Sequence, residues 1–319
     1  MHFMHGFRRL SASISPLALF ALASCSGLNG DRPPPAGTVT GSDPEASALF
    51  AQAQAHEQSG NVKKAINAYE EIADDHAYAD VAAEAKFREA YLLDQQGELL
   101  DAFEAYDTFI QRYRGSSRYS QALSRQADVA HAAAEGHIKS SFLGIKTKVG
   151  RKASTDMLGT VRDNAPQSPE APRAQFAIAQ VWENANDADK SIKAYERLLD
   201  DYPNSSYAPE AQYRIGKILL TQSQGGNQNQ ATLDKADDAF RDLIIRYPNS
   251  KWAKEAEKEL GVIASRDLQR SYNIAEFYYR KKQYPSAALY YRDIVKRAPD
   301  GDLKNRAQRR LSEINGMSS

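Results

Sequence analysis

The amino-acid sequence predicts an all-α fold, a solenoid of about six stacked helix pairs, and three observations carry that expectation. Beyond residue 45 the apolar residues recur with the 3.6-residue period of a helix, and no run alternates in the way a half-buried strand requires. Small and bulky residues return together at fixed offsets along the whole chain. Glycine or proline stands where one helix must hand over to the next, as at Gly60, Gly97, Pro203 and Pro248.

The chain opens with Arg8 and Arg9 ahead of an apolar stretch, Leu10 to Ala23, that is too short to span a bilayer. Residues 1–24 are therefore expected to be an export signal. Leu22-Ala23-Ser24-Cys25 follows, and Cys25 is the single cysteine, so no intrachain disulfide competes for its thiol. Residues 25–45 hold Gly27, Gly30, Pro33, Pro34, Pro35, Gly37 and Gly41 with few large apolar side chains. Such a composition cannot bury enough surface to offset chain entropy, and it predicts a flexible tether. Asp43-Pro44-Glu45 then supplies an N-cap, a first-turn proline and an acidic first turn.

The repeat is expected over residues 46–314. Ala77, Arg114, Pro166, Pro203, Pro248 and Pro299 each follow a helix, and eight residues beyond them stand Ala85, Ala122, Ala174, Ala211, Ala256 and Ala307. Five residues before each anchor are Ile72, Phe109, Val161, Leu198, Leu243 and Ile294; three earlier come Tyr69, Tyr106, Leu158, Tyr195, Phe240 and Tyr291. Small residues precede those by four, at Ala65, Ala102, Ser154, Ser191, Ala236 and Ala287. The preceding helix repeats one at Ala53, Ala90, Ala127, Ala179, Gly216 and Ala275. Small positions let two helix backbones approach, and large ones fill the groove beside them. Anchor spacing is 37 residues where undisturbed and 45 to 52 elsewhere, so the array carries insertions. A helix without a breaker runs from Lys251 to Lys281, one further pair follows, and residues 315–319 are expected to be a disordered tail.

These residues resemble the tetratricopeptide repeat, in a subclass with slightly long units and the turn Tyr202-Pro203-Asn204-Ser205, repeated at Tyr247-Pro248-Asn249-Ser250. The tetrad ending at Cys25 resembles the bacterial lipobox, whose cysteine is acylated, and Ser26 in place of Asp implies sorting to the outer membrane. The long helix ending in Ala275-Glu276-Phe277-Tyr278-Tyr279 looks like the outer-membrane protein assembly factor BamD family. That resemblance implies a periplasm-facing outer-membrane lipoprotein without cofactor or small-molecule substrate, working with a BamA-like barrel subunit and nascent outer-membrane proteins. This chain departs from the family in its length, its sixth unit and its inserts.

Function in a solenoid lies on the surface formed by the first helices. Three residues before the recurring small residue stand Phe50, Phe87, Ser124, Phe176, Tyr213 and Tyr272, with Tyr91 and Tyr279 as companions. Five aromatic rings in six places suit an extended or helical peptide; the same rings also suit packing between neighbouring helices. The segment His137 to Lys152 interrupts the third unit with five basic residues and Phe142, Leu143, Ile145 and Val149. It suits an acidic partner or lipid head groups, or else it covers an edge of the solenoid. Gln222 to Gln230 reads as a polar linker.

Acidic and basic residues balance at 41 each, which gives no overall bias toward nucleic acid. Residues 26–110 nevertheless carry 16 acidic and 5 basic side chains and residues 251–319 carry 9 and 15, a gradient able to orient partners at opposite ends. The six histidines include no zinc-ligand pair with a glutamate between, and neither a phosphate-binding glycine loop nor a Gly-x-Ser-x-Gly elbow occurs. Catalysis is accordingly not expected. Two other non-catalytic readings remain: a periplasmic coordinator of cell-wall synthesis resembling the CpoB family, and an accessory subunit of a secretion or polysaccharide apparatus. The first is disfavoured because residues 26–44 lack the heptads of that family's coiled coil.

Overall fold

The computed structural model describes residues 41–137, 139–142, 145–224 and 230–317. The export signal, Cys25, the tether up to residue 40 and tail residues 318–319 lie outside the described residues. Among the described residues there are thirteen helices, and six antiparallel pairs follow in order. They are α1 (Pro44–Gln58) with α2 (Val62–Asp75), α3 (Ala82–Gln96) with α4 (Leu99–Arg112), and α5 (Tyr119–Ala134) with α6 (Arg151–Asn164). Next come α7 (Glu170–Asn184) with α8 (Ala188–Asp201), α9 (Ala208–Gln224) with α10 (Gln230–Arg246), and α11 (Lys251–Arg280) with α12 (Tyr284–Arg297). The last helix, α13 (Asp302–Met317), closes the array. Each helix packs against the next, and alternate helices touch at α5 with α7 and at α9 with α11, which is the stacking of a solenoid.

The repeated positions explain why these segments pack. Every alanine and serine named above as a small position is buried, and so is each bulky residue opposite, from Tyr69 and Ile72 to Tyr291 and Ile294. Gly216 shows how close the approach is: a β-carbon there would lie 2.5 Å from the ring of Phe240. The helix starts are also as the sequence implies. Asp43 accepts hydrogen bonds from the Glu45 and Ala46 amides at 3.0 and 3.1 Å, and Ser250 caps the 30-residue α11 through the Ala253 amide. Gly60 and Gly97 take positive φ, 76° and 78°, at the turns within the first two pairs.

Three expectations are corrected. A two-stranded antiparallel hairpin, β1 (Lys139–Phe142) and β2 (Ile145–Lys148), sits between α5 and α6. Ile145, Thr147 and Val149 do alternate with Lys146 and Lys148, a period of two too short to stand out beside the helical repeat. The polar linker is shorter than expected, because Gln222–Gln224 complete α9 and Gln230 begins α10; residues 225–229 lie outside the described residues. Both ends of the array reach further too. Gly41 bridges Ala79 ahead of α1, so the end of the tether is pinned to the α2–α3 turn, and residues 315–317 belong to α13.

Candidate functional site

The candidate site is the face built by the first helix of each pair, and its aromatic ladder is decided by what the rings touch. Phe50 lies edge-on to Tyr69 at 5.6 Å, Phe87 to Phe109 at 5.7 Å and Tyr272 to Tyr291 at 5.7 Å. Phe176 meets Tyr195 at 5.5 Å and Tyr213 meets Phe240 at 5.8 Å, so each ladder ring packs on the bulky ring of its own second helix. Phe87, Phe176 and Tyr272 are 2, 6 and 9% exposed. These three are core residues and not an open lining. Phe50, Tyr91, Tyr213 and Tyr279 remain half-buried and present part of a ring to solvent.

Arginines from the following repeat close over several of these rings. Arg118 stands 5.1 Å from the centre of Phe87, Arg214 5.7 Å from Phe176 and Arg306 4.8 Å from Tyr272. Arg310 of α13 does the same over Tyr279 at 4.4 Å, while Arg88 covers Tyr91 of its own helix at 5.3 Å. The face is thus a mosaic of ring edges and guanidinium groups.

A second pattern runs through the same face, and it ties each repeat to the next. Tyr69 of α2 donates to Glu57 of α1 at 3.0 Å, and Arg88 of α3 donates to the same carboxylate at 3.2 Å. One repeat later Tyr106 and Arg125 converge on Asp94, at 3.2 and 2.6 Å. Tyr195 and Arg214 share Glu183 at 2.6 and 3.1 Å, and Tyr291 and Arg310 share Glu276 at 2.7 and 2.9 Å. In the first three the tyrosine follows the carboxylate by 12 residues and the arginine by 31, so the pattern was present in the sequence. It was missed there because the tyrosines were counted only as bulk. Burial, then the bond to Glu183, raises the Tyr195 phenol well above its ordinary range. Burial pushes the Tyr213 phenol up to about 12, assisted by Glu259, to which its hydroxyl donates at 3.2 Å.

The third and fifth pairs depart from this pattern. His131 and Leu158 occupy the carboxylate and tyrosine places in one, Leu220 and Phe240 in the other. His131 is buried with no hydrogen-bond partner for Nε2, and burial, reinforced by Arg173, lowers its pKa to about 4.

Two clefts open near these elements. One of about 400 Å³ lies between α1 and α3, lined by Phe50, Gln54, Glu57, Tyr69, Glu84 and Arg88. Another of about 620 Å³ lies among α8, α9 and α10, lined by Ile192, Ile215 and Leu219 and by side chains of both charges, among them Asp200, Asp242, Lys193 and Arg246. Among the described residues no group of three or more His, Cys, Asp or Glu side chains is arranged to hold a metal ion, and no helix is long and apolar enough to cross a membrane.

The sequence profile of the YfiO family, described as outer membrane lipoprotein, matches residues 42–221 and 152–316, which together span every helix pair. The chain belongs to the YfiO family, which is the BamD family. Comparison with curated protein sequences gives no match. Among solved structures, MamA 41-end from Desulfovibrio magneticus RS-1 is 14% identical, covering 66% of this chain and 99% of its own, with a TM-score of 0.32. A tetratricopeptide repeat protein from Parabacteroides merdae ATCC 43184 is 11% identical, covering 86% of this chain and 100% of its own, also with a TM-score of 0.32. Membership of the YfiO family makes the chain a tetratricopeptide scaffold of a lipoprotein family, with a surface suited to protein–protein contact.

Proposed function

We propose that this chain is a non-catalytic scaffold of the outer-membrane β-barrel assembly machinery, tethered to the outer membrane through acylated Cys25 and facing the periplasm. Its first-helix face holds a BamA-like barrel subunit and nascent outer-membrane proteins. The observation that carries this reading is the family match over six helix pairs whose linked first helices form one long face. Of the ladder residues, Phe50, Tyr91, Tyr213 and Tyr279 supply ring area to a bound segment, while Phe87, Phe176 and Tyr272 hold the helices that present them. A rigid ring gives contact area at a low entropic cost, which suits a surface that must take many client sequences. Two or three acyl chains would hold the protein at the membrane, since each buried methylene contributes about 0.8 kcal/mol.

The test is a photo-crosslinker placed at Tyr213 in intact cells. Capture of a barrel-assembly subunit or of outer-membrane proteins supports the reading, and capture of peptidoglycan synthases alone overturns it. The anchor is tested separately. Cys25→Ser is expected to abolish metabolic labelling with a fatty acid and to release the chain from the membrane fraction; undiminished labelling removes the lipoprotein assignment.

A further inference from the structure

A run of rings crosses the junction of α11 and α12 in the last helix pair. Phe277 lies edge-on to Tyr278 at 5.6 Å, and Tyr278 stacks on Tyr290 at 5.8 Å. Tyr278 and Tyr290 are half-buried against the core of this pair, whereas Phe277 is 49% exposed and Leu289, the residue before Tyr290, is 64% exposed. Single apolar side chains in solvent are ordinary, but here two of them border one continuous ring surface. Leu289 buries so little area that helix packing gives no reason for leucine at that place.

The charge around these residues has one sign. Residues 280–297 hold six basic side chains and one acidic. Arg297 takes up both nearby carboxylates, meeting Asp267 at 2.6 Å and Asp293 at 3.0 Å. Among the described residues Arg280, Lys281, Lys282, Arg292 and Lys296 form no ion pair, and Lys281 stands 6.0 Å from the centre of the Phe277 ring. On α12 Leu289, Arg292 and Lys296 follow one another at three and four residues, so they share one outer stripe, and all three are exposed. Helix dipoles account for cations at the C-terminal ends of α11 and α12, but not for phenylalanine and leucine standing in solvent among them.

We infer that this end of the array is a lipid contact: Phe277 and Leu289 enter the interface of an anionic phospholipid membrane while Lys281, Arg292 and Lys296 meet its phosphates. Long basic side chains can lay their stems along the apolar surface and keep their charge among the headgroups, and half-buried tyrosines suit the same depth. Five unpaired cations spread over two helices and a turn suit a continuous layer of phosphates better than a fixed set of carboxylates. The inference rests on the chain working at a membrane and is independent of which proteins it holds. Leu289, Arg292 and Lys296 stand on a second helix, so contact there leaves the first-helix face open. The tether allows it, because the 18 residues from Cys25 to Asp43 reach at most about 60 Å and let the body lie along the surface.

The test uses the chain from residue 26 onward, which keeps every described helix and lacks the acylation site. It is expected to co-sediment with vesicles of phosphatidylethanolamine and phosphatidylglycerol and not with phosphatidylcholine vesicles, and about 0.5 M salt should release it. Each cation near an anionic surface contributes about fivefold in affinity, so Lys281→Gln/Arg292→Gln/Lys296→Gln should weaken binding roughly a hundredfold. Helical circular dichroism and melting should stay unchanged, because all three side chains are exposed. Lys63→Gln/Lys64→Gln/Lys235→Gln makes the same charge change on α2 and α10 and should leave binding nearly as it was. This form of the chain has no cysteine, so Leu289→Cys can carry an environment-sensitive fluorophore whose emission should shift to the blue on anionic vesicles. The same label at Ser206→Cys, in the turn before α9, should not shift. Absence of binding to anionic vesicles at low salt overturns the inference, as do equal weakening by the two triple variants and emission that is unshifted at 289 or shifted equally at both sites. A patch that serves an acidic protein instead would bind no vesicle and leave the label unshifted. Fatty-acid labelling at Cys25 tests the anchor alone, and its loss leaves this result untouched.

Discussion

Glu183 takes a hydrogen bond from Tyr195 within its own pair and an ion pair from Arg214 of the next, so a single carboxylate links three helices. Removing it strands a fully buried hydroxyl, whereas removing the hydroxyl leaves the carboxylate with its arginine. Glu183→Ala should therefore cost about 2–3 kcal/mol and Tyr195→Phe about 1 kcal/mol, with the double variant costing less than the sum, as read by urea unfolding. His131 gives a pH dependence of known direction. Burial holds its folded pKa near 4, below the ordinary value of 6.5, so above that value both states are neutral and the group adds no pH dependence. Between pH 6.5 and 4 the unfolded chain takes up a proton that the folded chain refuses, and stability falls by roughly 2 kcal/mol after allowance for solvent screening. His131→Gln should lose that extra acid sensitivity; identical pH profiles for the two proteins would show that the ring is not held neutral. Neither environment could be read from composition, because both depend on what the neighbouring repeat places opposite.

At the scale of the helix pair, close approach matters more than intrinsic preference. Alanine at an ordinary helical glycine stabilises by about 1 kcal/mol. At Gly216 the buried Phe240 ring occupies the space a β-carbon needs, so Gly216→Ala should instead destabilise by about 1–3 kcal/mol, measured by thermal melting. A gain in melting temperature would mean that α9 and α10 can separate without cost. The small-residue rule was legible in the sequence because it recurs in all six pairs. The hairpin was not, since four-residue strands leave only two alternations, and their pairing depends on α5 and α6 holding the two feet together.

For the whole molecule, stability is shared between neighbours, and the terminal helix has the disproportionate task of covering an otherwise open end. α13 supplies Ala307 and Ile314 to the core around Tyr272 and Tyr291, and Arg310 to Glu276. A chain ending at residue 298 should melt several degrees lower and bind a hydrophobic dye, and unchanged melting would show that α13 is dispensable. The sequence by itself determined the helix pairs, their order and the interlocking small and bulky positions, because these follow from a periodicity written along the chain. Tertiary structure alone decided which ladder rings face solvent and which arginines of the next repeat close over them. Those properties are set by contacts across surfaces that exist only once adjacent helices and repeats have stacked.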